Sequence, residues 1–294
     1  MMSILIALAI MSGLTLLLTT FLVVANKKFH VEEDRRIDFV ENMLPGNNCG
    51  ACGLPGCRAF AEALVQQKAS PVQCTVSSDE IKTRVAQLIG VEVGIQEKQV
   101  ARLACAGGDN VAHRQAYYSG LKSCRAATLI AGGDKSCGWG CLGFGDCEKA
   151  CDFAAIYMNP HGLPIVIDDK CTACGDCVDI CPKELFSLHS ISHRLWIACK
   201  NQQAGDEILS HCEVACTACG RCASDSPNLI TMKHNLAVID YTAFNVHSEY
   251  KTITMPIQRC PTGAIVYLEA NGIVIKGAAA AKILRKEALQ VAPT

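Results

Sequence analysis

Residues 4–24, ILIALAIMSGLTLLLTTFLVV, hold no charged side chain. At about 1.5 Å of rise per residue, a helix of that length crosses the roughly 30 Å apolar core of a bilayer. The pattern predicts one transmembrane helix, with residues 1–26 as a membrane anchor. Beyond it the apolar stretches shorten. Residues 31–41 are charged and read as a linker or exposed helix. Residues 58–67 have helical periodicity, with Phe60, Leu64 and Val65 available for burial. Residues 80–89 read as a helix and 98–105 (KQVARLAC) as a strand. Residues 113–120 and 123–130 read as helices parted by Gly120-Leu-Lys. Two short alternating pairs follow: 155–158 with 163–167 around Asn159-Pro-His-Gly162, and 230–232 with 237–240. Both read as β-hairpins. The tail, 269–294, is rich in Ala and Lys, with a helix expected over 278–289.

Mixed short strands and helices place the part beyond the anchor in the α+β class. The 20 cysteines in 294 residues change the picture. They are too tightly spaced to bridge one another easily, and the chain is half hydrophobic. A disulfide framework belongs instead to small, core-poor secreted chains. Metal or iron–sulfur sites remain. A formal charge of −1 gives no basic field for nucleic acid.

Cys49-x2-Cys52-x4-Cys57, closed by Cys74, supplies four thiols, the number that one [4Fe–4S] cube needs. Four-cysteine zinc sites also use C-x2-C, but zinc ribbons usually present two such knuckles, and here there is one. Further on lie Cys137-x3-Cys141-x5-Cys147-x3-Cys151 and Cys171-x2-Cys174-x2-Cys177-x3-Cys181-Pro182. The second run has the bacterial ferredoxin spacing, in which the fourth cysteine ligates the other cluster. That rule predicts one cluster on Cys137, Cys141, Cys147 and Cys181, and another on Cys171, Cys174, Cys177 and Cys151. Asp152 stands where a proline usually follows the fourth cysteine.

Residues 216–265 restate this unit. Cys216-Thr-Ala-Cys219-Gly-Arg-Cys222 repeats Cys171-Thr-Ala-Cys174-Gly-Asp-Cys177, and Cys260-Pro repeats Cys181-Pro. Ser226 replaces one fourth cysteine, and 242–258 lacks the other three. Under the crossed rule those losses all fall on one cluster, leaving Cys216, Cys219, Cys222 and Cys260 for the other. Four [4Fe–4S] clusters are expected in total, or three if the last site is empty. Cys105 and Cys124 read as buried thiols, a redox pair or a ligand site; Cys199 and Cys212 read as buried thiols or a pair. Gly138-Trp-Gly140-Cys-Leu-Gly143 matches a dinucleotide fingerprint but lacks its preceding strand, so neither flavin nor nucleotide is expected in this chain. No substrate-converting residues are expected.

Lys27, Lys28, Arg35 and Arg36 follow the apolar run, and no basic residue precedes it. The positive-inside rule then puts the bulk of the chain on the cytoplasmic side of a single-pass inner-membrane anchor. The expected order is a four-cysteine domain over 27–80, a linking α/β segment over 81–136, a two-cluster ferredoxin-like domain over 137–195 and a reduced one-cluster module over 196–268.

The anchor, the Cys49/Cys52/Cys57/Cys74 domain, the widened Cys137–Cys151 run and the further modules together resemble the B-subunit family of the Rnf complex. That complex is an ion-translocating ferredoxin:NAD oxidoreductase. The resemblance implies electrons taken from soluble ferredoxin, passed to other subunits of the complex, and coupled to Na+ or H+ movement. Two other readings stay open: an electron-input subunit of another membrane reductase or of a system reducing a redox-sensing regulator, and a membrane-anchored zinc-binding structural protein.

Overall fold

A computed structural model describes residues 2–29, 34–94, 97–242, 250–269, 274–278 and 280. The apolar run forms helix α1 (Met2–Phe29). It is the one described helix long and apolar enough to cross a membrane. Its apolar side chains stand exposed: Leu16 is 69% exposed and Phe21 68%. Its hydroxyls do not call for water. Thr15, Thr19 and Thr20 donate to the carbonyls of Met11, Thr15 and Leu16 one turn back, at 2.6–2.9 Å. The helix therefore suits an apolar surrounding over residues 4–24, with Lys27 and Lys28 at its end.

The charged segment after it is less exposed than its composition suggests. Helix α2 (Arg35–Met43) starts at Asp34, whose carboxylate accepts from the Arg36 amide at 2.9 Å, and buries Ile37 and Val40. Helix α3 (Cys57–Val65) buries Phe60, Ala61 and Leu64, while Val65 is only partly covered. Helix α4 (Asp79–Ile89) is capped by Ser78 and ends on Gly90 at φ +75°, a left-handed turn that glycine takes without strain. The three helices close one core around Val40, Phe60, Leu64 and Val85. Burying Phe60 or Leu64 contributes about 1.5–3 kcal/mol each.

Two ferredoxin-like units follow. In the first, strand β1 (Gln99–Leu103) finds its partner far along the chain, with hairpin β2 (Ile156–Met158) and β3 (Pro164–Val166) between them in sequence. The partner is β4 (Phe186–Ser190), antiparallel, with Val100 opposite His189 and Leu103 opposite Phe186. The segment over 81–136 thus supplies an outer strand of the two-cluster unit. The second unit repeats the plan. Strand β5 (Leu195–Ile197), hairpin β6 (Ile230–Lys233) and β7 (Leu236–Ile239), and strand β8 (Ile265–Leu268) follow in order, with β5 on β8 and β9 (Val274–Lys276) added outside β8. Helices α5 (Cys124–Thr128), α6 (Asp146–Lys149), α7 (Asp176–Ile180) and α8 (Arg221–Asp225) are short turns that each carry a cysteine or directly precede one. Helix α9 (Tyr250–Arg259) stands where a second cysteine loop would be, and it buries Ile257 in the unit's core.

The units are docked. Trp196 Nε1 donates to Leu103 O at 2.8 Å, and the Ala106 amide donates to Ala198 O at 3.0 Å. Residues 113–120 are not a helix. Instead, the chain at 111–115 runs extended between two neighbours: the His113 amide donates to His211 O, the Glu213 amide to Val111 O, and the Ser136 amide to His113 O. Ala112 bridges Cys212, and Arg114 bridges Lys135. Tertiary pairing on both sides overrides the local helical tendency. The expected helix over 278–289 lies outside the described residues but for Ala278 and Ala280.

Candidate iron–sulfur centres

None of the twenty cysteines is in a disulfide. In the first module Cys52, Cys57 and Cys74 pack against the helical core. The Asn48 side chain accepts from the Cys57 amide at 2.8 Å, which pins the loop carrying Cys49 to the start of α3. Ser77 Oγ donates to Cys74 Sγ at 3.1 Å. All four thiols are half-buried.

In the ferredoxin-like units the cysteines surround small voids. Cys151, Cys171, Cys174 and Cys177 line one, grouped as the crossed rule expects. Cys216, Cys219, Cys222 and Cys260 line another. Ser226, in place of a fourth cysteine, is buried at the end of α8.

The remaining run departs from expectation. The void lined by Cys141, Cys147 and Cys181 is completed by Cys124, not by Cys137. Cys137 instead lines a further void with Cys105, Cys199 and Cys212. The reason lies in the spacing. Cys141, Cys147 and Cys151 stand six and four residues apart, as do Cys171, Cys177 and Cys181. In that register Phe144 occupies the place of Cys174, so the first run lacks its second cysteine. Cys124 fills the gap from the preceding loop. It is held there by Asp146, which accepts from Ser123 Oγ and from the Arg125 amide. Phe144 lies edge-on to Tyr118 at 5.4 Å. The register of the two runs was the sequence signal for this exchange.

The thiols sit in an electrostatic setting that favours metal-bound sulfur. Amides point at Sγ atoms at 3.4 Å: Ala155 to Cys151, Leu185 to Cys181, and Ala101 to Cys171. The Cys151 and Cys181 donors lie four residues on in each case, matching the twofold repeat. Without metal, burial pushes the thiols of Cys141, Cys147 and Cys177 up to about 12, and those of Cys174 and Cys222 to about 11. Iron binding at these positions must therefore displace protons. Among the described residues no three His, Cys, Asp or Glu side chains converge closely enough for a single ion. Four cysteines lining each void are the ligand number that one cube of iron and sulfide takes.

An apolar helix that fits a membrane anchor, a four-cysteine helical domain and two ferredoxin-like units with cysteine-lined voids define a multi-centre iron–sulfur protein. Residues 44–76 match an Fe-S cluster family, and residues 136–186 match the 4Fe-4S dicluster domain. The chain is 38% identical over 256 residues to the B subunit of the Na+-translocating ferredoxin:NAD+ oxidoreductase complex of Acetobacterium woodii, covering 87% of this chain and 76% of that protein. It is 37% identical over 267 residues to the B subunit of the proton-translocating ferredoxin:NAD+ oxidoreductase complex of Clostridium ljungdahlii, covering 90% and 93%. The B subunit of the ion-translocating oxidoreductase complex of Methanosarcina acetivorans is 36% identical over 235 residues, covering 80% and 89%. The chain belongs to the B-subunit family of the Rnf ion-translocating oxidoreductase complexes.

Proposed function

We propose that this chain relays electrons within a membrane complex that couples electron flow between ferredoxin and NAD to the movement of an ion. The observation that carries the reading is the set of four-thiol voids on a ferredoxin-like frame. The residues that would hold [4Fe–4S] clusters are Cys49, Cys52, Cys57 and Cys74; Cys124, Cys141, Cys147 and Cys181; Cys151, Cys171, Cys174 and Cys177; and Cys216, Cys219, Cys222 and Cys260. Such clusters supply reversible one-electron transfer at potentials set by burial and by hydrogen bonds to sulfur. The chain's own part is to fix the spacing, exclude water and aim amides at the sulfurs. Tunnelling falls off exponentially with distance, so Cys147–Cys151 and Cys177–Cys181, each joining the two paired sites through one short turn, keep that step short.

Lys27 and Lys28 at the end of α1 support a single-pass arrangement with the rest of the chain on the cytoplasmic side, where soluble ferredoxin donates. The two relatives named for an ion differ in which ion it is. Nothing in α1 offers an ion path: residues 4–24 carry no charge, and the path therefore belongs to other subunits of the complex.

The test is anaerobic purification of the full chain in detergent, with iron, acid-labile sulfide and zinc measured together. Iron and sulfide in equal amounts, with absorbance bleached by reduced ferredoxin, support the reading. Zinc without sulfide would overturn it in favour of a structural protein.

A further inference from the structure

The void shared by Cys105, Cys137, Cys199 and Cys212 belongs to none of the ligand sets above. It is comparable in size to the other three. Gly107, Ala112, Gly140, Ala198 and Ala215 leave room in its wall, which Trp139, Lys200, Asn201 and Val214 complete. A Cβ built on Gly107 would stand 3.2 Å from Cys212 Sγ and 3.6 Å from Cys105 Sγ.

Backbone amides reach sulfurs at this void, as at the other cysteine sets. Cys105 Sγ accepts from the Gly107 amide, and Cys199 Sγ accepts from the Asn201 amide, both two residues on and both at 3.4 Å. Each sulfur accepts a second amide at 3.4 Å: Cys105 from Cys141, and Cys199 from Cys216. Those two donors belong to the neighbouring sets, Cys141 to one and Cys216 to the other. The remaining pair follows the same symmetry, because Cys137-x3-Cys141 and Cys212-x3-Cys216 have one spacing. Each unit thus contributes a strand-end cysteine, after β1 or β5, and a cysteine four residues before Cys141 or Cys216. The Lys135 side chain is wholly buried beside the void. Its Nζ donates to Gly107 O at 2.7 Å and lies 3.6 Å from Asp109. A buried cation there offsets negative charge that four thiolates around a cube would bring.

We infer that Cys105, Cys137, Cys199 and Cys212 hold a further [4Fe–4S] cluster at the junction of the two ferredoxin-like units. The inference rests on the iron–sulfur reading above and extends it. Assembly exchanges four thiol protons for four iron–sulfur bonds, with iron and sulfide supplied as for the other sites. The site then accepts one electron from one flanking site and passes one to the other, with no net chemistry. Its ligands make it the link between the Cys124/Cys141/Cys147/Cys181 site and the Cys216/Cys219/Cys222/Cys260 site. The chain thereby uses all twenty of its cysteines in five sets of four.

The experiment uses the full chain in detergent, loaded anaerobically with iron and sulfide. Five four-cysteine sites predict about twenty irons and about twenty sulfides per chain. The Cys105→Ser/Cys199→Ser double variant is expected to retain about sixteen, with one EPR signal lost on reduction and the others kept. Cys137→Ser is expected to lose that same signal, and Cys124→Ser a different one. A wild-type content of about sixteen, or a double variant with wild-type iron, would overturn the inference while leaving the four-cluster reading intact. If the variants do not accumulate as folded protein, the wild-type stoichiometry decides alone. Zinc with no sulfide would sink both readings, so the two failures are distinguishable.

Discussion

Ser123 Oγ donates to the Asp146 carboxylate at 2.8 Å. The bond ties the loop before α5 to the first residue of α6, and it is what holds Cys124 over the void of Cys141, Cys147 and Cys181. Asp146→Ala leaves the Ser123 hydroxyl and the Arg125 amide without this acceptor, at a cost of about 1–3 kcal/mol. The expected outcome is faster iron loss under chelator challenge, confined to one EPR signal. Asp146→Asn keeps an acceptor oxygen and should recover much of the retention. Uniform loss across all signals would show that Asp146 acts on the whole fold.

Arg102 and Asp168 form a two-pronged ion pair at 2.7 and 2.9 Å, linking β1 to the end of β3. Their side chains are 9% and 20% exposed, so the pair lies largely out of water and screening. Asp168→Ala strands the guanidinium and is expected to cost about 3 kcal/mol, read as a lower denaturant midpoint under anaerobic conditions. The double variant Arg102→Leu/Asp168→Leu should recover most of that loss. A single variant with an unchanged midpoint would place the pair among those that contribute nothing measurable.

Gly143 sits at φ +80°, and a Cβ there would stand 2.8 Å from Gly162 O. Both the left-handed backbone and the close carbonyl oppose a side chain. Gly143→Ala is expected to destabilise the first ferredoxin-like unit by about 1–3 kcal/mol. Because Cys141 and Cys147 flank it, iron retention in their set should fall with stability. Wild-type retention together with a wild-type midpoint would refute the close approach.

His189 and His193 meet the second unit through Tyr241, on which His193 stacks at 4.0 Å, while His189 lies edge-on to Trp196 at 4.8 Å. Burial lowers both imidazoles below the ordinary value of 6.5; His193 and Arg102 lower His189 further, whereas Glu97 opposes the shift at His193. Both are therefore protonated in the unfolded chain at a higher pH than in the folded one. Their contribution is complete above 6.5 and declines as pH falls below it. The thermal midpoint is expected to drop more between about pH 7.5 and about pH 5.5 in the wild type than in His189→Phe/His193→Phe. Equal drops would assign the acid sensitivity to other groups.

Much of the fold was legible because its signals are local. The uncharged run, the periodicity of α3 and α4, and both hairpins follow from residues close in sequence. The repeated Cys-Thr-Ala-Cys-Gly motif exposed the second unit. The exchange of Cys124 for Cys137 depended on a register that Phe144 disguises. The extended path of residues 111–115 depended on pairing with 134–136 and 211–213, which no local pattern announces. That same path carries Cys212 and Cys137 to one place, so missing it hid the junction void as well. Residues 31–41 misled for a simpler reason: Ile37 and Val40 form a narrow buried face on an otherwise charged helix.

The strand-like run through Ala112 has a consequence for how the chain is made. Its bridge to Cys212 joins residues a hundred positions apart. During synthesis the first ferredoxin-like unit emerges with its early loop unclosed on one side, and Cys105 and Cys137 wait there without their two later companions.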